Sequence, residues 1–268
     1  MSNYKTIAKL GTGALFVSLV SIFGVVESNK LQAQETEENT TIDEITEDEN
    51  TTVGEEVTVR GEVEEFEPGV SFVLEEEGFL EGDEVLVINV SAEPVPVLPS
   101  DDLELQVTGE VGTLVLADVE RDYGIVLDPE LYVDYESQPV ILAQSMVLAP
   151  DLEDIAEDPD FYYLQTLAVE GEIEEVRNEY TFTLKEDQLI GGDELLMINA
   201  SETPIPETDE KVVVTGTVRP YVQAEFDRDY DLTWDLDVQE EIEAEYSEKP
   251  VFVVDGIYPS AEDDGLLE

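Results

Sequence analysis

The residues of this 268-residue chain whose types and spacing could do chemistry are nearly all carboxylates. Gly82-Asp83-Glu84 recurs as Gly192-Asp193-Glu194, and each tripeptide could offer oxygens to a hard cation such as Ca²⁺, which takes about six to eight of them. The same tripeptide is also an ordinary tight turn leading into a strand. The densest oxygen cluster is Asp227, Asp229, Asp231, Asp235 and Asp237, with Asp122, Asp128 and Glu130 as a sparser counterpart. It lacks the spaced Asp-x-Asp-x-Asp-Gly and closing Glu of a calcium loop, so it reads either as a low-affinity cation site or as a hydrated acidic face. The candidate metal ligands are therefore Asp83, Asp193, Asp229, Asp231, Asp235 and Asp237, with Ca²⁺ as the ion and no other cofactor expected.

Arg121-Asp122-Tyr123 and Arg228-Asp229-Tyr230 are the repeated basic positions. An arginine among so many acids is expected to form a local ion pair that holds a helix against the rest of the fold, and the alternative is a ligand-binding arginine. Tyr123 and Tyr230 are expected in the core. The chain has no cysteine and no histidine, which excludes disulfides, thiol catalysis, Cys or His zinc sites and every His-based triad. Glycoside hydrolysis by two carboxylates needs one acid of raised pKa and a partner across a cleft, and no motif marks such a pocket, so no enzyme is expected. Asn39, Asn50, Asn89 and Asn199 match Asn-x-Ser/Thr, which reads here as turn chemistry, with Asn89 and Asn199 ending strands. Pro94-x-Pro96 and Pro204-x-Pro206 recur in a loop, where they stiffen the connection.

The elements that would position these groups follow from charge and repetition. Lys5 and Lys9 precede an uncharged apolar run from Leu10 to Val26, the pattern of an export signal over residues 1–34, with an uncleaved anchor as the alternative. Removing that segment takes Lys5, Lys9, Lys30 and Glu27 from 11 basic and 68 acidic residues, leaving 8 and 67, a net charge of −59. Such a field repels phosphate backbones and anionic lipid while concentrating cations, so partners are expected among cations or another envelope or extracellular protein, with no nucleic acid. The membrane would be reached only through an uncleaved N-terminal segment. Screening by salt relieves self-repulsion, which predicts a saline or divalent-rich setting and a secreted, periplasmic or cell-envelope location. Residues 35–56 hold ten acids and few large apolar groups and are expected to be a disordered acidic leader.

An internal repeat follows. The 36 residues from Gly61 and the 36 from Gly171 align without gaps at an offset of 110 with 16 identities, and the match resumes at Val107-Thr-Gly and Val214-Thr-Gly. Alternation predicts strands at 57–64, 70–75, 84–90 and 103–113, with counterparts at 167–174, 180–185, 194–200 and 211–218, and a closing strand at 139–147 or 250–257. Val115, Val119 and Tyr123 have helical spacing with Gly124 as a cap, although the parity of Asp229, Asp231, Asp235 and Asp237 allows a strand in the second copy. Asp128-Pro129-Glu130 reads as a helix start.

About five antiparallel strands remove their edges most readily by closing into a barrel. The Val-x-Gly-x-Val pattern, at Val59-Arg-Gly-Glu-Val63, Val169-Glu-Gly-Glu-Ile173, Val107-Thr-Gly-Glu-Val111 and Val214-Thr-Gly-Thr-Val218, resembles the strands of the OB-fold family. The resemblance implies a mainly β protein of two tandem five-stranded OB-like barrels, each with one or two short helices, at residues 57–150 and 163–260. The family's oligonucleotide sites need a basic groove with stacking aromatics, which the chain's charge denies, so that activity does not carry over. The whole also resembles exported acidic bacterial proteins of saline habitats. The expected function is that of a non-enzymatic exported binding or structural protein. The alternatives are a Ca²⁺-responsive module and a carboxylate-based glycan-acting enzyme.

Overall fold

A computed structural model of the chain describes residues 39–47, 53–67, 69–76, 83–96, 103–186, 194–201, 203–229, 236–247 and 249–261. The expected export signal lies outside them. Among the described residues no helix is long and apolar enough to cross a membrane.

Strands form where the sequence alternates or runs β-branched: β1 (Glu56–Glu67), β2 (Ser71–Glu75), β3 (Glu84–Asn89), β4 (Glu104–Thr113) and β5 (Pro139–Leu148). β1 pairs antiparallel with β2 and β4, β2 with β3, and β4 with β5, while β3 runs parallel to β5. The circuit 1-2-3-5-4-1 is closed, so the fold is mainly β around a five-stranded barrel with short helices, as the OB-like expectation requires. The later strands are β6 (Thr166–Asn178), β7 (Thr181–Lys185), β8 (Glu194–Asn199), β9 (Lys211–Pro220) and β10 (Pro250–Pro259). They pair in the corresponding order, with β8 parallel to β10 and β9 back on β6. The β2–β3 pair Ser71↔Ile88 has its counterpart 110 residues on in the β7–β8 pair Thr181↔Ile198. β5 touches β6 through one parallel pair, Leu148↔Leu167.

The glycines of the Val-x-Gly-x-Val pattern are fixed by close approach of neighbouring strands. A Cβ on Gly61 would lie 2.6 Å from Glu75 O, on Gly171 2.8 Å from Lys185 O, on Gly109 2.4 Å from Leu142 O and on Gly216 2.1 Å from Val253 O. The β4–β5 and β9–β10 pairings shift register close by, between Thr108 and Gly109 and between Val254 and Gly256. The motif therefore marks where the sheet bends sharply and brings strands too close for a side chain.

The expected disordered leader does not hold for residues 39–47. Asn39 bridges to Thr58, and α1 (Ile42–Glu47) buries Ile42 and Ile45 completely in the main core. Two isoleucines at i, i+3 share one face of a helical turn, and their apolar surface outweighs the acidity of the segment. A second short helix, α3 (Leu152–Glu157), buries Leu152 and Ile155 in the same cluster before β6. Ile42 Cδ1 would be 3.2 Å from a Cβ on Gly61, and Leu152 Cδ1 3.3 Å from one on Gly171, so each helix sits over a strand glycine.

The β4–β5 connection carries α2 (Leu116–Tyr123), ended by Gly124 at φ 72°. Val119, Leu127 and Tyr132 of this insert pack on Val73, Leu86, Ile88 and Val140, on the side of β2, β3 and β5 opposite Phe72, Leu74 and Val87. β2 and β3 are thus buried on both faces, which is why they read as short apolar runs. In the β9–β10 connection, α4 (Gln223–Asp229) and α5 (Leu236–Tyr246) supply Phe226, Ile242 and Tyr246 to a cluster with Leu196, Ile198 and Val253. The helix expected from Asp128 is instead a turn. Asp128 Oδ1 accepts from Glu130 N at 3.0 Å, Leu131 N donates to Asp128 O, and a 3₁₀ turn follows at Val133–Tyr135. Tyr123, expected in the core, is 45% exposed; α2 packs on the cluster through Val119 and the partly buried Leu116.

Candidate functional site

The strands and helices converge on a cavity of about 330 Å³ bounded by β1, β4, β6 and β9 together with residues just before α1 and α3. Arg60 on β1 lies across from Gln106 on β4, one pair along from Gly61↔Leu105, and reaches diagonally to Glu104. Its Nη2 stands 2.5 Å and its Nε 3.1 Å from Glu104 Oε2, and Nη2 also lies 3.1 Å from Asp151 Oδ1 at the start of α3. Burial works against the Arg60 charge, but Glu104, aided by Asp151 and Glu170, outweighs it and holds the guanidinium above its ordinary pKa.

The position matching Arg60 at the 110-residue offset is Glu170, and the lysine at Lys211 stands where β4 has Glu104. Lys211 Nζ lies 3.2 Å from Glu170 Oε1, again along a diagonal of the ladder, so the ion pair is present with its charges exchanged. Ser260 Oγ donates to the same Glu170 oxygen. Asn39 Nδ2 donates to Pro259 O at 2.7 Å, tying the segment before α1 to the end of β10 at the cavity rim. Glu186 accepts from Glu153 N at 2.7 Å, and burial raises the pKa of Glu76 on the other side, with Asp43 and Asp83 adding to it and a hydrogen bond from the Asp43 backbone opposing it. The cavity therefore holds both signs of charge, with Arg60 and Lys211 set against Glu76, Asp151, Glu170 and Glu186.

A second charged group fastens α5. Arg177 on β6 lies 3.1 Å from Glu245 Oε2 and 3.2 Å from Glu175 Oε2, and its guanidinium carbon sits 5.5 Å from the Tyr246 ring centre. Beside it Glu194 faces Glu174. Glu174 Oε2 is buried without a hydrogen-bond partner, and a proton on Glu194 would supply one. The hydrogen bond that protonated Glu194 can give Glu174, then burial, then the charges of Glu174 and Glu245 push the Glu194 carboxyl above the usual range against the pull of Arg177.

Of the candidate metal ligands, Asp83, Asp229 and Asp237 lie among the described residues. Asp83 is exposed just before β3, Asp229 closes α4, and Asp237 lies in the first turn of α5. Asp193, Asp231 and Asp235 lie outside the described residues, as does Tyr230. Among the described residues no group of three or more acidic side chains is disposed to hold a metal ion. Arg121 meets Asp118 at 2.5 Å and Asp122 at 2.7 Å on its own helix with its side chain 64% exposed, so it does not fasten α2 to the barrel; its partners lie three residues and one residue away and are reached without leaving the helix. Asn89 and Asn199 are buried at strand ends. Each amide donates to a carbonyl four residues on and accepts from the following serine, as turn chemistry requires.

Sequence reasoning missed Arg60, Asp151, Glu170 and Lys211. Their signal was present: carrying the 110-residue offset upstream sets Thr41-Ile42-Asp43-Glu44-Ile45 on Asp151-Leu152-Glu153-Asp154-Ile155, and the same offset sets Arg60 on Glu170. No protein-family model matches the chain, and no curated protein matches it.

Proposed function

We infer that the chain is an exported, non-catalytic acidic binding or structural protein, built as a tandem of OB-like barrels, that offers its acidic surface to cations or to another envelope component. The observation that carries this reading is the use made of the basic side chains. Arg60, Arg121, Arg177, Lys185, Lys211 and Arg219 each meet a carboxylate of the same chain, which leaves a large excess of acid toward solvent. The insert over β2 and β3 adds support, since it occupies the face that OB-like barrels offer to oligonucleotides. Polyanion binding is disfavoured on both counts.

The test is thermal unfolding of the full chain in CaCl₂, MgCl₂ and NaCl matched in ionic strength. Screening alone predicts equal midpoints at equal ionic strength, with Ca²⁺ and Mg²⁺ indistinguishable. A rise specific to Ca²⁺, following RT ln(1 + [L]/Kd), would replace this reading with a calcium-responsive module using the Asp83 and Asp229–Asp237 regions.

A further inference from the structure

We propose that the β4–β5 insert is a docking surface for a cationic polypeptide segment bearing aliphatic side chains. This rests on the reading of the chain as a binding protein and names its partner's chemistry. Val115, Tyr123, Val126, Leu131 and Val133 are half of the exposed large hydrophobic residues described, and all five fall within one stretch of 19 residues. Scattered apolar residues need no explanation, but these are not scattered. Leu127 and Tyr132 point into the cluster on β2 and β3, so their chain neighbours Val126, Leu131 and Val133 point away from it, at 75%, 59% and 59% exposure. The turn closed by Leu131 N on Asp128 O reverses the chain between Leu127 and Tyr132, so the exposed Val126, Leu131 and Val133 are borne by one turn and its two flanks, the outer face of the insert.

The surround of this face selects the occupant. Glu120, Asp122, Asp128, Glu130, Asp134 and Glu136 are all exposed around it. The one arginine of the insert, Arg121, is spent on Asp118 and Asp122. A second copy of this chain, at a net charge of −57, would bring like charge onto like, and anionic lipid is repelled in the same way. A segment carrying Leu, Ile or Val flanked by Lys or Arg satisfies both the apolar centre and the acidic rim, the arrangement in which a dry centre supplies affinity and rim charges supply rate and selectivity.

The experiment titrates the full chain into two short labelled synthetic peptides of equal positive charge, one of Leu and Lys, the other with Ser replacing every Leu, in roughly 0.15 M NaCl. The Leu/Lys peptide is expected to bind at least about tenfold more tightly. The triple variant V126S/L131S/V133S should bring it down to the Ser/Lys level, whereas F161S/L164S, at exposed apolar residues elsewhere, should leave it unchanged. Unaltered thermal midpoints would show that both variants fold, as their exposure requires. Equal binding of the Leu/Lys peptide to wild type and triple variant overturns the proposal while leaving the acidic-surface reading in place, and failure of both peptides to bind overturns the two together. Sedimentation of the wild type, but not the triple variant, with neutral phosphatidylcholine vesicles would assign the face to lipid and overturn it as well.

Discussion

Arg60 and Arg121 carry the same charge and each meets two carboxylates, yet their surroundings give them different weight. Arg60 and Glu104 are 18% and 13% exposed, so removing the cation strands a carboxylate in a place where water cannot compensate. Arg60→Gln is expected to cost about 3 kcal/mol in denaturant unfolding, whereas Arg121→Gln, on a solvated helix face, is expected to leave the midpoint unchanged. Equal effects of the two would contradict the account of Arg60 and Glu104 as a largely buried pair. Glu194 gives a pH signature. Its folded pKa lies above the ordinary 4.5, so its ionised form is disfavoured in the fold. That penalty is full above the folded pKa and is relieved as pH falls toward 4.5. The amide of Glu194→Gln can donate to Glu174 as the protonated acid does. The variant should therefore be the more stable at neutral pH, with the difference vanishing on acidification toward that value; a pH-independent difference between the two thermal midpoints would contradict the pairing.

At the scale of elements, a helix of six residues has almost no stability of its own, so α1 exists because the barrel receives its side chains. Ile42→Ala should cost about 2–5 kcal/mol, read as a loss of midpoint in chemical unfolding, which a disordered leader would not show. Much of this architecture was legible beforehand. All ten strands fall within a few residues of the positions that alternation gives, because β-branched runs bounded by Gly-Asp or Pro-Gly turns admit few other readings. The helix ending at Gly124 was legible for the same reason, since a left-handed cap needs glycine. The leader helix was not, because ten acids obscured two isoleucines whose importance depends on a cavity that only the folded strands create. The Arg60 site was hidden by a charge exchange: Arg60 and Glu170 share no chemistry as letters, and only their diagonal partners Glu104 and Lys211 make them equivalent.

Across the described strands, one hydrophobic cluster contains Val59, Phe72 and Leu105 from the first circuit, Val169, Phe182 and Phe252 from the second, and Ile42 and Leu152 from the two short helices. The cavity with Arg60, Asp151, Glu170 and Lys211 lies where these parts meet. Their apolar contacts and paired charges together imply that neither circuit keeps its full stability when the other unfolds. The acidic exterior then acts as the surface of one body rather than of two beads on a string. The measurement that tests this most directly is scanning calorimetry of the full chain at moderate salt. The account predicts a single transition whose calorimetric and van't Hoff enthalpies agree, moved as a whole to lower temperature by Arg60→Gln. Two resolved transitions, only one of them shifted by that substitution, would contradict it.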